Sequence, residues 1–322
     1  MNSTSEAASS AVAGAWAPLS EQPDLSRSPW LELPLRLLLY FDIFDHPLTG
    51  HEIQALAYPP GLSWSEVKRA LDALVKLEVL EHHADFYFLI GKRATVAARL
   101  DKAQHSRALW QKVPRSVRIL AAFPFVRGLL ITGTLAKDAA GPGADIDFLV
   151  FTAANRVWIC RSIIGVFRKL LPGDLRKYFC ANVFLAEDAL TYDQHNMYIA
   201  IEIGTSRPVM NRALGEQFRR HNGWLAAFVP GLEAESASPS QPQPSRGRLE
   251  QALEGAVGDL LEARLATFWQ QFWQRKYSQL NADQLERRFR VGTHLSTNHF
   301  HDFQTRTLAA YDARLQRFGL HR

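Results

Sequence analysis

Two short apolar runs within residues 129–151, LLITGTLAKDAAGPGADIDFLVF, constrain this chain most. The first, Leu129-Leu130-Ile131, stops at Thr132-Gly133-Thr134. The second, Phe148-Leu149-Val150-Phe151, follows Asp145-Ile146-Asp147. A loop containing Gly141-Pro142-Gly143 joins them. Runs this short, β-rich and bounded by glycine are predicted to be buried strands of one sheet. Residues i and i+2 of a strand share a face, so Asp145 and Asp147 should project side by side, with Ile146 in the core. Close carboxylates repel each other unless a cation lies between them. Their oxygens suit Mg²⁺, which keeps some waters and takes its other ligands from phosphates. Gly133 lets backbone approach a ligand closely, and Thr134 offers a hydroxyl and an N–H to phosphate oxygens.

Gly133-Thr134, a loop of matching length and Asp145-Ile146-Asp147-Phe148 on the next strand together resemble the signature of the polymerase-β-like nucleotidyltransferase superfamily. That signature is a strand, Gly-Ser or Gly-Gly, a loop, then Asp-x-Asp or Asp-x-Glu. Thr134 stands where serine is usual and keeps the hydroxyl. Asp-x-Asp alone is common in capping and salt bridges; the specificity lies in glycine, hydroxyl, spacing and flanking strands together.

With 322 residues the chain can hold two or three small domains, each with a core. A formal charge of +5 suits nucleotide or nucleic-acid partners without requiring them. Cys160 and Cys180 lie in apolar runs without metal-ligand spacing, as expected of reduced thiols in the cytoplasm. Residues 157–171 are apolar but short and interrupted by Arg161, Arg168 and Lys169, so no membrane partner is expected. The N-terminus lacks the pattern of a secretory signal.

Residues 1–28 are Ser-, Ala- and Pro-rich, and disorder is expected. Residues 35–44 form an apolar helical stretch. Thr49-Gly50-His51-Glu52 and Ser63-Trp64-Ser65-Glu66 are capping boxes that open two more helices. Residues 79–90 read as a hairpin turning at Ala84-Asp85. Three helices then a hairpin is the order of a winged helix, and residues 40–49, YFDIFDHPLT, resemble the winged-helix front end of some bacterial nucleotidyltransferases. The third helix offers Lys68, Arg69 and Lys76 against Glu66, Asp72 and Glu78; the wing carries Glu81, His82, His83 and Asp85. That near-neutral surface favours protein contact or acceptor positioning over sequence-specific DNA reading.

Residues 93–123 should be a basic helical link, and 157–171 the helix after the Asp-x-Asp strand. Residues 178–185 read as a third strand, with Cys180, Asn182 and Phe184 on one face by alternation. Residues 195–204 read as a buried helix carrying Glu202, ended by Ser206-Arg207-Pro208-Val209, and 211–228 as helical. The Pro/Ser-rich stretch before residue 248 reads as a linker. Residues 249–277 keep helical spacing with an aromatic stripe, Phe268, Trp269, Phe272 and Trp273, suited to a core or an oligomer interface. The expected division is therefore 1–28 disordered, 29–92 winged helix, 93–230 nucleotidyltransferase domain, 231–248 linker and 249–322 C-terminal helical region. The expected fold class is α/β with a small mixed sheet.

The resemblance implies transfer of a nucleoside monophosphate from an NTP, with ATP the expected one, to an acceptor with release of pyrophosphate. Asp145 and Asp147 would be catalytic and hold Mg²⁺ or Mn²⁺. Gly133, Thr134 and Lys137 would meet the nucleotide's phosphates. The third strand of the superfamily usually adds a carboxylate; here that position falls on Asn182, a ligand without charge. The acceptor stays open among a protein side chain, a small molecule and an RNA end. The rival reading is a catalytically weak nucleotide-binding or regulatory protein with a degenerate third ligand. The spacing of Arg288 and His294 also fits a loose ribonuclease pattern common in basic segments, and His294, His299 and His301 make no convincing metal frame.

Overall fold

A computed structural model describes residues 28–232, 247–298 and 302–321. The expected disordered N-terminus through residue 27 and most of the expected linker lie outside them. The chain is mixed α/β, and its described residues form two compact units, one of residues 28–100, 226–232 and 306–321, the other of residues 101–225, 247–298 and 302–305. Among the described residues, no helix is long and apolar enough to cross a membrane.

In the first unit, α1 (Pro29–Asp42) precedes β1 (Leu48–Thr49), α2 (Gly50–Ala57), α3 (Trp64–Lys76), β2 (Leu80–His83) and β3 (Phe86–Leu89). The three strands form an antiparallel sheet in the order β1-β3-β2. Both capping boxes form. Thr49 N donates to Glu52 Oε2 at 2.7 Å, and Ser63 N to Glu66 Oε2 at 2.9 Å, so each helix start has its orphan donor satisfied. Leu35, Leu39, Ile53, Val67, Leu71 and Leu74 interdigitate as the core, each contributing about 1.5–3 kcal/mol by burial.

The first helix starts earlier than the apolar pattern predicts, because Pro29 occupies a first-turn position where its missing N–H costs nothing. Pro34 inside the helix leaves the carbonyl of Trp30 without its helical donor. The Tyr58 hydroxyl supplies one, donating to Trp30 O at 3.0 Å. The Tyr58 ring is fully buried against Trp30, with centroids 5.0 Å apart. From Arg306 the chain also belongs to this unit: Arg314 Nε donates to Asp42 Oδ2 at 2.8 Å.

The second unit is built on a five-stranded mixed sheet in the order β7-β4-β5-β6-β8. Its strands are β4 (Val126–Thr132), β5 (Asp147–Thr152), β6 (Cys180–Ala186), β7 (Arg207–Met210) and β8 (Leu295–Thr297). Only β5 and β6 run parallel; the other neighbours are antiparallel. The expected basic link forms α4 (Thr95–Trp110) and α5 (Val113–Ala121), followed after β4 by the one-turn α6 (Gly133–Ala136). Next come α7 (Val157–Leu170), α8 (Met197–Gly204) and α9 (Arg212–His221). The remaining helices are α10 (Arg248–Ala252), α11 (Ala256–Lys276), α12 (Ala282–Arg288) and α13 (Phe303–Arg317). Leu129, Ile131, Phe148 and Val150 share one core with α5, α7 and α11. On the opposite face Phe151 meets Phe218 of α9, with ring centroids 5.5 Å apart. Burial on both faces explains why β4 and β5 read as continuous apolar runs.

Three expectations are corrected. The helix ends at Gly204, before residues 206–209 as expected, but the chain there is more than a break: Arg207–Met210 form the edge strand β7, where Pro208 is tolerated because an edge strand can spare an N–H. Residues 249–322 are not a separate helical region. Helix α11 packs on α7, β8 completes the sheet, and the chain from Arg306 joins the first unit. The helical stretch 249–277 is broken before Gly255, whose φ of +73° starts α11 anew. The boundaries at 92, 230 and 249 therefore do not coincide with the compact units.

The Tyr58–Trp30 bond gives a direct test. Tyr58→Phe should cost about 1 kcal/mol in urea unfolding, because a partly buried carbonyl loses its donor. Pro34→Ala restores a helical N–H to that carbonyl, so in that background the cost of Tyr58→Phe should largely vanish. An undiminished cost would show that the hydroxyl acts elsewhere.

Candidate active site

The last rung of the β4–β5 ladder pairs Thr132 with Asp147. The backbone leaves β4 through Gly133, whose φ is +66°. A Cβ there would lie 2.6 Å from Asp147 Oδ2, so only glycine allows the carboxylate to stand so close to the turn. The chain then makes the single turn of α6. Thr134 is exposed, and Ala139 N donates to Thr134 O at 2.9 Å to close the loop.

Ile146 is fully buried and its backbone is fixed from both sides. Its N–H donates to Lys177 O at 2.7 Å, and its carbonyl accepts from Cys180 N at 3.2 Å. Asp145 and Asp147 flank this anchor, both half-buried. Burial pushes the Asp147 carboxyl up to about 6, and the neighbouring charges of Asp145 and then Glu202 add to the rise.

Asn182 lies where the strand reading places it. Its Nδ2 donates to Asp147 Oδ1 at 2.8 Å, and its Oδ1 accepts from the Cys180 thiol at 3.4 Å. Burial, then the charge of Asp147, pushes that thiol up to about 12. The simple alternation fails just beyond. The β5–β6 register shifts between Phe148 and Leu149, leaving Asn182 unpaired between Ala181 and Val183. This bulge turns Phe184 into the core opposite Val150, away from the face of Asn182.

Lys137 is not left facing solvent for a ligand. Its Nζ donates to Gly133 O at 2.9 Å and to Glu202 Oε1 at 2.7 Å. Glu202 Oε2 accepts from Gly133 N at 3.2 Å. Glu202 is the site residue that the sequence motif does not contain. Its signal was chemical: a lone carboxylate among Met197, Ile199, Ala200, Ile201 and Ile203, all buried. Such a group needs a partner, and Lys137 is it. Asp188, another carboxylate beyond the third strand, lies apart from this cluster, with Oδ1 4.0 Å from His294 Nδ1.

Thus Gly133, Lys137, Asp147, Asn182 and Glu202 are joined by direct contacts, with Asp145 acting on Asp147 through its charge. Among the described residues, no group of three or more His, Cys, Asp or Glu side chains is arranged to hold a metal ion. Two carboxylates nonetheless fit Mg²⁺ or Mn²⁺ when ligand phosphates complete the shell, because every donor is a hard oxygen. The raised Asp147 is a carboxylate short of positive charge. No family model matches this chain, and no curated protein or solved structure does either.

The Asp147 shift has a pH signature. The folded protein holds this proton more tightly than the unfolded chain, whose value is 3.8. Its stabilising contribution is complete below that value and is lost as pH rises through about 6. Asp147→Asn should therefore raise metal-free stability by about 1–2 kcal/mol at pH 7.5 and by almost nothing at pH 4. Urea unfolding at the two pH values measures this; an equal gain at both would place the effect outside titration.

Proposed function

We propose that this protein is a Mg²⁺-dependent nucleotidyltransferase that moves a nucleoside monophosphate, AMP being the favoured one, from an NTP to an acceptor. The observation that carries this reading is Asp147 set against Gly133 with Asp145 two residues before it, the Asp147 carboxyl being raised first by burial and then by the charges of Asp145 and Glu202. In the reaction an acceptor hydroxyl oxygen attacks the α-phosphorus and releases its proton to solvent, the bond from that phosphorus to the oxygen bridging to the β-phosphorus breaks, and pyrophosphate leaves. A divalent cation, when bound, supplies positive charge to the triphosphate and acidifies the acceptor hydroxyl.

The protein's own groups supply positioning. Asp145 and Asp147 hold the cation side of the triphosphate. The Gly133 N–H and the Thr134 hydroxyl meet phosphate oxygens. Asn182 orients Asp147 through its 2.8 Å bond, so the amide acts as a holder of the carboxylate beside it. Around the first unit, the order helix–strand–helix–helix–strand–strand with sheet order β1-β3-β2 supports the winged-helix reading. Lys68 of its third helix is paired with Asp72 at 2.6 Å, which favours contact with protein over base reading.

The second reading is a nucleotide-binding regulator with weak or no transfer. Asn182 is the observation behind it, since an amide cannot take the acceptor's proton. The two readings share nucleotide binding and part at turnover.

Binding is tested by isothermal titration of Mg-ATP into wild type and Asp145→Asn/Asp147→Asn. The double variant should lose at least about tenfold in affinity while melting cooperatively. Equal affinities would put the nucleotide elsewhere. For turnover, Asn182→Asp removes a donor from Asp147 and adds a third negative charge. It should lower metal-free stability by about 1–2 kcal/mol, and Mg²⁺ should restore it. A change indifferent to Mg²⁺ would exclude position 182 from a metal site. Under the transferase reading, wild type turns over and Asn182→Asp should raise turnover, followed as pyrophosphate release; under the regulator reading, wild type releases little or none.

A further inference from the structure

We propose that Glu202 is a resident anion: its carboxylate occupies the Gly133 N–H and the Lys137 ammonium until a polyphosphate ligand displaces it. This rests on the nucleotide reading above and adds to it the residue that sets phosphate affinity. The donors in question belong to Gly133 and Lys137, two of the residues expected to meet the nucleotide's phosphates. In the structure both are taken by one side chain, Lys137 Nζ at 2.7 Å from Oε1 and Gly133 N at 3.2 Å from Oε2.

A carboxylate and a phosphate ask for the same donors, so the two compete wherever they meet. They cannot share them here. Asp147 already stands against Gly133 from its Cα side, and the charges of Asp145 and Glu202 both act on it. A triphosphate brought to this place would add several negative charges beside three carboxylates. Repulsion drives Glu202 off its donors as the phosphate arrives.

The fold permits this. Helix α8 is anchored by buried Ile199, Ala200, Ile201 and Ile203, so its backbone stays fixed. The Glu202 side chain is 26% exposed and can turn outward by a rotamer change. Lys137 is less exposed, at 13%, and remains to receive the phosphate. Displacement costs the same for every ligand that needs both donors. Glu202 therefore lowers the affinity for each phosphate ligand by a common factor and leaves contacts to a base or sugar untouched.

The test is isothermal titration of the full chain with sodium tripolyphosphate in saturating Mg²⁺, using wild type, Glu202→Gln, Lys137→Met and the double variant. Glu202→Gln should bind about tenfold tighter than wild type, since a charge-assisted contact no longer has to be broken. Glu202→Ala should change affinity in the same direction and guards against a folding defect in one variant. In the Lys137→Met background the Glu202→Gln gain should mostly disappear. Unchanged or weaker binding by both Glu202 variants overturns the proposal, as does no binding by any of the proteins. A gain that persists in full without Lys137 also overturns it, because general charge repulsion would then explain the effect. Failure of the nucleotide reading looks different: Glu202→Gln would still tighten tripolyphosphate, while Mg-ATP binding ignored Asp145→Asn/Asp147→Asn.

Discussion

Antiparallel pairing of β4 with β5 is the constraint on which the second unit depends. The ladder runs from Val126 opposite Thr152 to Thr132 opposite Asp147. Its middle residues are buried on both faces, Leu129 and Ile131 toward α5, α7 and α11, Phe151 toward α9. A slip by one residue would exchange the faces of the entire pair, so the register is held by every apolar side chain in it. Asp147 inherits its place from that register. It stands at the last rung, opposite Thr132, and the residue that follows β4 is the glycine with room for its carboxylate. The acidic site is thus the polar end of a hydrophobic ladder, and its geometry is set by burial elsewhere in the strands.

The same core captures the C-terminal chain through two buried carboxylates. Glu262 of α11 accepts from Trp158 N at 2.7 Å and Ile159 N at 2.9 Å, satisfying the first donors of α7. Glu250 of α10 grips Arg127 of β4 through both oxygens, at 3.1 and 3.0 Å, and takes the Phe125 N–H as well. Trp269 and Trp273 fill the gap over α7, with Trp269 Nε1 donating to Ser162 Oγ at 2.8 Å. The aromatic stripe is therefore largely internal. A second face of α11, with Val257, Leu260 and Phe268, stays exposed.

Much of this was legible because the signals are local. Capping boxes, the turn at Ala84-Asp85 and the two apolar strands follow from residues within a few positions of each other. The strand period expected for Asp145 does not apply, because the strand begins only at Asp147 and Asp145 lies in the loop before it, acting on Asp147 through its charge. What escaped depends on distant partners. A four-residue edge strand containing Pro208 looks like a breaker until β4 is beside it. The tail that supplies β8 carries no strand pattern long enough to stand out from its basic surroundings. The bulge at Asn182 is a mismatch between two strands, invisible in either one alone. Sequence alternation placed Asn182 beside Asp147 but put Phe184 on the wrong face, since Asn182 is itself the extra residue of the bulge.

Asn182 and Glu202 together show how charge is distributed around the aspartate pair. A carboxylate at position 182 would face Asp147 at hydrogen-bond distance, adding repulsion to a group already raised to about 6. The amide replaces that repulsion with a donor. Negative charge appears instead on α8, where Lys137 and the Gly133 N–H hold it in place. The carboxylates around the site thus number three, and the one on α8 has its own cation in Lys137 and a partly exposed side chain. A site arranged this way keeps Asp147 oriented through the Asn182 amide. On the proposed nucleotide reading, the ion pair of Glu202 with Lys137 competes with an incoming anion, and the charge that the ligand brings with its cation decides the outcome, which favours a polyphosphate over a simple carboxylate.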